Sequence, residues 1–161
     1  MPLSAPEYVE VVVFRRTRDV ISFLLLKRSP GKRPYPGIWQ VVSGRKVATE
    51  RATETALREV REETGVDPDG AWLLPFVNTF YSPDGDVVHS VPAFAAEVPE
   101  SAEIVLSGEH SEYRWVSRAE AEVLVQWPSH LTMMDLVQNF VTQERGDVGR
   151  FYPHDLRKAA Q

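Results

Sequence analysis

The chain has 161 residues, of which 43% are hydrophobic and 25% charged, enough for one domain with its own core. Its formal charge of -5 excludes the broad basic surface that a long nucleic acid requires, although a local cluster of cations can still hold a small anion. With no cysteine there is no disulfide framework, no thiolate nucleophile and no cysteine-based zinc site.

In chain order, the opening MPLSAPEYVEVVVF lacks a basic start followed by an uninterrupted apolar run, and no later stretch is long enough to span a bilayer. The expectation is a soluble, cytoplasmic protein with no membrane partner. Tyr8 to Arg15 and Ile21 to Arg28 are rich in Val, Ile, Phe and Leu around Thr17, Arg18 and Asp19, the pattern of two strands and a turn. SPGKRPYPG, with three prolines and two glycines, is a loop, and Ile38 to Val42 is a short strand leading into Ser43 and Gly44. Ala52 to Thr64 holds good helix formers with an apolar stripe of Ala52, Ala56, Leu57 and Val60, and Gly65 supplies the stop. Trp72 to Tyr81 and Val87 to Val98 flank an Asp84-Gly85 turn and form a hairpin. Tyr113 to Val116 is a last strand, Ser117 caps a short helix through Leu124, and Pro128 opens a longer one carrying Met133, Leu136, Val137 and Phe140 on its core face. The resulting fold class is α/β, with a domain over residues 1–145 and a tail over 146–161. Arg145-Gly146-Asp147 spells an adhesion tripeptide, read as coincidence in a chain without an export signal.

Glu59, Glu62 and Glu63 stand at i, i+3 and i+4 on the central helix, which brings three carboxylates to one face near its C-terminal end. Like charges at that spacing repel one another, and the helix dipole disfavours anions there. A divalent cation reverses the sign of that cost, because carboxylate oxygens are the ligands magnesium prefers. Taken alone, three such residues describe an ordinary solvated acidic face. No serine-hydrolase elbow, no phosphate-binding G-x4-G-K-[ST] loop and no metal-ligand spacing among the four histidines competes with this reading.

The glutamates sit within GRKVATERATETALREVREETGV, Gly44 to Val66, which fills every specified position of G-x5-E-x7-R-E-U-x-E-E-x-G-U, with U aliphatic. This segment resembles the signature of the Nudix hydrolases. The resemblance implies an α/β/α sandwich with a mixed sheet and a loop-helix-loop metal site. It implies Glu59, Glu62 and Glu63 as ligands of Mg2+, with Mn2+ as an alternative, Arg58 as the residue that orients a neighbouring acid, and Glu50 as a further acidic member. Gly44 stands where the backbone must turn sharply or be approached closely, and Gly65 is the helix cap. Glu109, in SGEHSEYRWV, matches a position where several Nudix enzymes place another metal-binding or base carboxylate. Which carboxylate serves as the general base stays open at this point. The neighbouring His110 could orient a water or substrate, but it is read first as an incidental surface histidine.

Lys27, Arg28, Lys32, Arg33, Arg45 and Lys46 form a local excess of positive charge, with Arg28 and Arg45 the two assigned to phosphates. The partner is therefore a small-molecule polyphosphate. Most Nudix enzymes carry Pro-Gly-Gly where this chain has Val42-Ser43-Gly44, and W-Q-x-V-[ST]-G over Trp39 to Gly44 resembles the dihydroneopterin triphosphate pyrophosphatase branch. Glu109-His110, Tyr113 with Trp115, and Trp127 are similar to that branch as well. The diadenosine polyphosphate hydrolases share the E-H-x-x-Y-x-W stretch, and Tyr81 lies close to a tyrosine of theirs. Trp39, Tyr81 and Trp127 are stacking surfaces for a flat heterocycle, and Gln40 can present donor and acceptor to its edge. The resemblance thus ranks a pterin triphosphate first, with diadenosine polyphosphates or nucleoside triphosphates as the alternative. A non-catalytic nucleotide-binding module ranks last because the box is intact.

Overall fold

The computed structural model describes residues 5–143 and 149–153. Its elements follow in the order β1 (Tyr8–Thr17), β2 (Val20–Arg28), β3 (Trp39–Gln40), β4 (Val42–Arg45), α1 (Ala52–Thr64), β5 (Gly70–Ser82) and β6 (Val87–Glu97). After these come β7 (His110–Val116), α2 (Arg118–Leu124), α3 (Pro128–Leu136), a π-helical turn (Val137–Val141) and β8 (Arg150–Tyr152). Among the described residues no helix is long and apolar enough to cross a membrane.

One mixed sheet runs β3-β2-β1-β6-β5-β8, with β4 also on β1 and β7 also on β2. Among the described strands β1 and β6 pair in parallel, and that pairing seats Val11 beside Phe94 at the centre of the sheet. Alternation along the strands divides the apolar residues between the two faces. Val12, Phe14, Phe23 and Leu25 pack with Trp39, Val41, Met133, Met134 and Val137 on the face covered by α2 and α3. Val9, Val11, Val13, Leu24 and Leu26 pack with Ala56 and Val60 of α1 on the other. Helices on both faces of a mixed sheet are the α/β/α sandwich that the sequence implies.

Three elements depart from the sequence expectations. The single strand over Ile38 to Val42 divides at Val41: Trp39 and Gln40 pair with Lys27 and Leu26, whereas Val42 to Arg45 pairs with Tyr8 to Val11. One run of chain thus serves two neighbouring strands. The helix from Pro128 is regular only to Leu136 and continues as the π turn. Residues 150–152, assigned by composition to a tail, form an edge strand whose Tyr152 and Arg150 face Ala71 and Trp72. Three residues carry too little periodicity to announce a strand, and the edge of β5 decides it. The Arg145-Gly146-Asp147 tripeptide lies outside the described residues.

A polar tie fastens α3 to the sheet. Glu10 of β1 accepts from Asn78 Nδ2 at 3.2 Å and lies 3.4 Å from Nε2 of the buried His130. On the opposite face, α1 ends at Gly65, whose φ of 72° is left-handed and whose N–H donates to the Arg61 carbonyl at 2.9 Å. The same end binds the loop that leads to Glu109, since Val105 N–H donates to the Thr64 carbonyl at 2.8 Å. A Cβ on Gly65 would stand 3.0 Å from Val105 Cβ, so both the backbone sign and the local space require glycine. Gly65→Ala is expected to lower unfolding free energy by about 1 to 2 kcal/mol. The urea midpoint measures this, and an unchanged midpoint would show that neither constraint operates.

Candidate active site

Helix α1 lies across β4 so closely that Gly44 and Glu59 share one space. A Cβ built on Gly44 would fall 2.0 Å from Glu59 Cδ and 2.1 Å from its Oε1. Gly44 is paired with Val9 inside a strand, and its φ is not positive. Of the two roles expected for this glycine, close approach is therefore the one observed and a sharp turn is not. The consequence is that Glu59 and Glu63 are carried beneath the helix, 8% and 3% exposed, while Glu62 points outward.

Arg58 gathers the acidic side chains. Its Nε and Nη2 donate to the two oxygens of Glu50 at 2.7 and 3.0 Å, a bidentate pair. Nη1 donates to Glu59 Oε1 at 2.8 Å and Glu62 Oε2 at 3.1 Å, and Nη2 also reaches the Arg45 carbonyl at 3.0 Å. One guanidinium thus fixes three carboxylates and the backbone that follows Gly44. Thr55 Oγ1 adds a hydrogen bond to Glu50 at 2.9 Å. With Arg58 as the chief cause, the Glu50 carboxyl is held down at about 2.

Glu63 has the opposite environment. Burial first, then the nearby carboxylates of Glu59 and Glu109, push its pKa up to about 9 against only partial help from the Ser43 backbone and Arg28. Its Oε2 is buried with no hydrogen-bond partner among the described residues. Burial also raises Glu59, although Arg58 opposes it. An unpartnered buried carboxylate oxygen among further carboxylates is costly in water-free surroundings and suits a hard divalent cation. Among the described residues, however, no group of three acidic or histidine side chains is already drawn together at ligating spacing. Arg58 instead holds one oxygen of Glu59 and one of Glu62.

A cavity of about 410 Å³ opens above this cluster, and its lining includes Glu59, Glu62, Glu63, Glu109, Arg28 and Arg45. The structure therefore brings together the three box glutamates, the downstream glutamate and the two arginines singled out from the sequence. Gly44 also lines the cavity, as do Tyr8, Ser43 and Ser107, which sequence reasoning missed. Nothing in the local pattern marks Tyr8 or Ser107, since strand pairing and the loop before β7 deliver them. Arg45 is ion-paired with Glu7 at 2.9 Å and largely exposed. Arg28 donates through Nη2 to the Arg33 carbonyl at 3.4 Å, with its Nε buried and without a partner among the described residues. The remaining cations of the basic cluster differ in place: Lys27 pairs with Glu112, and Lys46 donates to the Glu50 carbonyl.

The proposed ring-binding residues do not line the cavity. Trp39 is 9% exposed in the α2/α3 core, with the Arg114 guanidinium 4.8 Å from its ring centroid. Gln40 is buried, its Nε2 lying 3.3 Å from His110 Nε2. The expectation of a surface histidine at position 110 is overturned, because antiparallel pairing with Arg28 turns that side chain inward. Burial lowers the His110 pKa, which favours the neutral ring. Tyr81 is exposed, and its hydroxyl donates to Asp86 Oδ1 within its own hairpin at 3.0 Å. Trp127 precedes α3 and meets Tyr35 edge to face.

The family model described as the NUDIX domain matches residues 6–137, most of the chain. The chain belongs to the Nudix hydrolase family. A relative from Mus musculus, the asymmetrical bis(5'-nucleosyl)-tetraphosphatase, is 35% identical over 128 residues, which are 73% of this chain and 82% of that protein. An octanoyltransferase from Myxococcus xanthus is 30% identical over 115 residues, covering 67% of this chain. The chain spans only 30% of the length of that protein. The structure of the E. coli dihydroneopterin triphosphate pyrophosphohydrolase matches with a TM-score of 0.68 at 22% identity, covering 87% of this chain and 100% of that one. At that identity the likeness is one of fold. In this Nudix domain the box occupies β4, the loop after it and α1, so the signature and the acidic cavity coincide.

The signs of the two glutamate shifts set the pH dependence of the metal-free protein. A glutamate in the unfolded chain loses its proton near 4.5, whereas Glu63 keeps it to about 9. The folded state thus binds the extra proton between those values, and stability falls as pH rises through that window. Glu50 acts in the other direction: its contribution is present above 4.5 and is lost as pH falls toward about 2. In chelator, Glu63→Gln is expected to raise Tm at pH 8 and to raise it less at pH 5. Thermal melts at both values check this, and an equal gap at both would remove the buried proton. Gly44→Ala is expected to cut activity more than stability, since the added methyl displaces Glu59.

Proposed function

We propose that this chain is a magnesium-dependent pyrophosphohydrolase that cleaves a dinucleoside polyphosphate asymmetrically, with Mn2+ able to replace Mg2+. The observation that carries this reading is the cavity that sets Glu59, Glu62, Glu63 and Glu109 opposite Arg28 and Arg45. Glu59, Glu62 and Glu63 would hold the cation, with Glu109 within reach of the same cluster. When bound, the cation neutralises the phosphate chain and lowers the pKa of an attacking water.

The residues of the chain perform the remaining work. Arg28 and Arg45 offer fork-shaped donors to phosphate oxygens, and Arg45 must exchange Glu7 for the substrate to do so. Arg58 keeps Glu59 and Glu62 oriented and transfers no proton, because its carboxylate neighbours raise its pKa and hold the guanidinium in its cationic form. Water attacks a phosphorus, the new P–O bond forms as the anhydride P–O bond breaks, and the leaving phosphate takes the electron pair. The proton of the water passes to a carboxylate. We assign that role to Glu109, which is exposed and, among the described residues, has no side-chain hydrogen bond or ion pair, whereas Glu59 and Glu62 are committed to Arg58.

Identity with the mouse tetraphosphatase favours two nucleosides joined by a phosphate chain over a single pterin triphosphate. The ranking of the pterin first rests on the Trp39 to Gly44 pattern and the downstream similarities, but Gln40, the residue offered to the ring edge, is buried against His110. Pterin triphosphate accordingly ranks behind. The test is competition with Mg2+ among diadenosine tetraphosphate, dihydroneopterin triphosphate and nucleoside triphosphates, with products identified by mass. The tetraphosphate is expected to disappear fastest, giving ATP and AMP in equal amounts, and excess chelator is expected to stop all turnover. Preferential consumption of the pterin triphosphate would reverse the ranking, and no hydrolysis of any of them would reject the activity. Glu109→Gln is expected to lower kcat by about a hundredfold with KM little changed, because a base acts mainly in the transition state. A normal kcat would return Glu109 to an ordinary loop position.

A further inference from the structure

Two aromatic rings stand together on the surface outside the cavity. Tyr35, in the loop between β2 and β3, is 55% exposed, and Trp127, just before α3, is 36% exposed. Their ring centroids lie 5.2 Å apart at 78°, edge to face. Neither belongs to the two hydrophobic cores or to the partly buried residues packed against them. The pairing leaves ring surface open to solvent that the fold itself does not use.

The backbone beneath Tyr35 is also unusual. Its φ is 58°, a left-handed conformation that glycine adopts freely and an aromatic residue rarely does. Such conformations persist where the surroundings enforce them, and they gather at ligand sites. The loop that carries Tyr35 is tied at its base to residues of the cavity lining. Arg28 closes the base of the loop, donating its N–H to the Ile38 carbonyl and accepting from Gly37 N–H, at 2.9 and 3.0 Å. Ser29 N–H donates to the Glu109 carbonyl at 2.9 Å, and Arg28 Nη2 holds the Arg33 carbonyl. Arg28 and Glu109, which anchor the loop, therefore line the cavity as well. From residue 33 to residue 35 the Cα path is at most roughly 7 Å. Lys32 and Arg33, both exposed, supply positive charge along the same loop.

We propose that Tyr35 and Trp127 form a stacking platform for the second heterocycle of a dinucleoside polyphosphate, while Lys32 and Arg33 accompany the phosphate chain out of the cavity. This deepens the proposed function and rests on it. Mononucleotide polyphosphates lack the second ring and gain nothing from the platform, so Tyr35 acts as a specificity residue. Base stacking on an aromatic side chain corresponds to roughly fivefold to a hundredfold in affinity.

The test compares diadenosine tetraphosphate with adenosine 5'-tetraphosphate, which has the same phosphates and one ring. Tyr35→Asn removes the ring while keeping a residue that tolerates the left-handed backbone. It is expected to raise KM for the two-ring substrate about fivefold or more, with kcat and the one-ring KM unchanged. Tyr35→Phe is expected to behave as wild type. Equal shifts for both substrates, or none, would overturn the platform while leaving the hydrolase reading intact. If the wild-type protein cleaves neither compound, the activity itself is wrong, and calorimetric titration of both into the metal-free protein then decides the platform. Tighter binding of the two-ring compound that Tyr35→Asn abolishes supports it, and equal binding rejects it.

Discussion

The carboxylate of Glu59 occupies the space that a side chain on Gly44 would take, and most of the site follows from that contact. Because the helix and strand meet so closely, Glu59 and Glu63 leave solvent and face the sheet. Burial without a partner is expensive for a carboxylate, and the fold meets the cost in two ways. Arg58 neutralises the part of the cluster that includes Glu50, Glu59 and Glu62. Glu63, beyond its reach, holds a proton instead. A cation can displace that proton, so the metal-free site is stable while remaining chemically unsatisfied.

The two faces of the sheet divide the labour between them. The face covered by α2 and α3 carries the larger residues, with Phe14, Trp39, Trp72, Met133 and Met134 packed together. The face under α1 is lined with Val and Leu and gives way at its end to the acidic cluster. A rigid, mostly apolar foundation on one side thus supports charged groups on the other, and the central parallel pairing of β1 with β6 serves both. On the α3 side Glu10 joins Asn78 and the buried His130, whose Nδ1, like Trp72 Nε1, has no hydrogen-bond partner among the described residues.

Much of this was legible in the sequence where local signals and tertiary packing agree. The bounds of α1 are those read from its helix formers, its apolar stripe and Gly65, because the stripe also matches the face that packs on the sheet. The same holds for Ser117, whose hydroxyl accepts from Glu120 N–H and starts α2 as expected. The box glutamates, Glu109, Arg28 and Arg45 meet in one cavity although they come from separate elements. What was not legible depends on register. His110 turns inward because of its place opposite Arg28, and a lone histidine beside a glutamate gives no sign of that. Gln40 and Trp39 have opposite fates through strand alternation: one meets His110 on the α1 side, the other enters the α3 core. Tyr35 stands in a loop legible from its prolines, glycines and cations, and its pairing with Trp127 requires two segments far apart in the chain.

We propose that a buried, protonated Glu63 gives up its proton when the proposed cation binds. Calorimetric titration of the metal-free protein with Mg2+ at pH 7, repeated in buffers of different ionisation enthalpy, measures the protons released. With a pKa near 9 in the metal-free state, Glu63 is expected to release about one proton per site, and the release should diminish as pH is raised past that value. A binding heat independent of the buffer would mean that no proton is displaced and would contradict this account of the site.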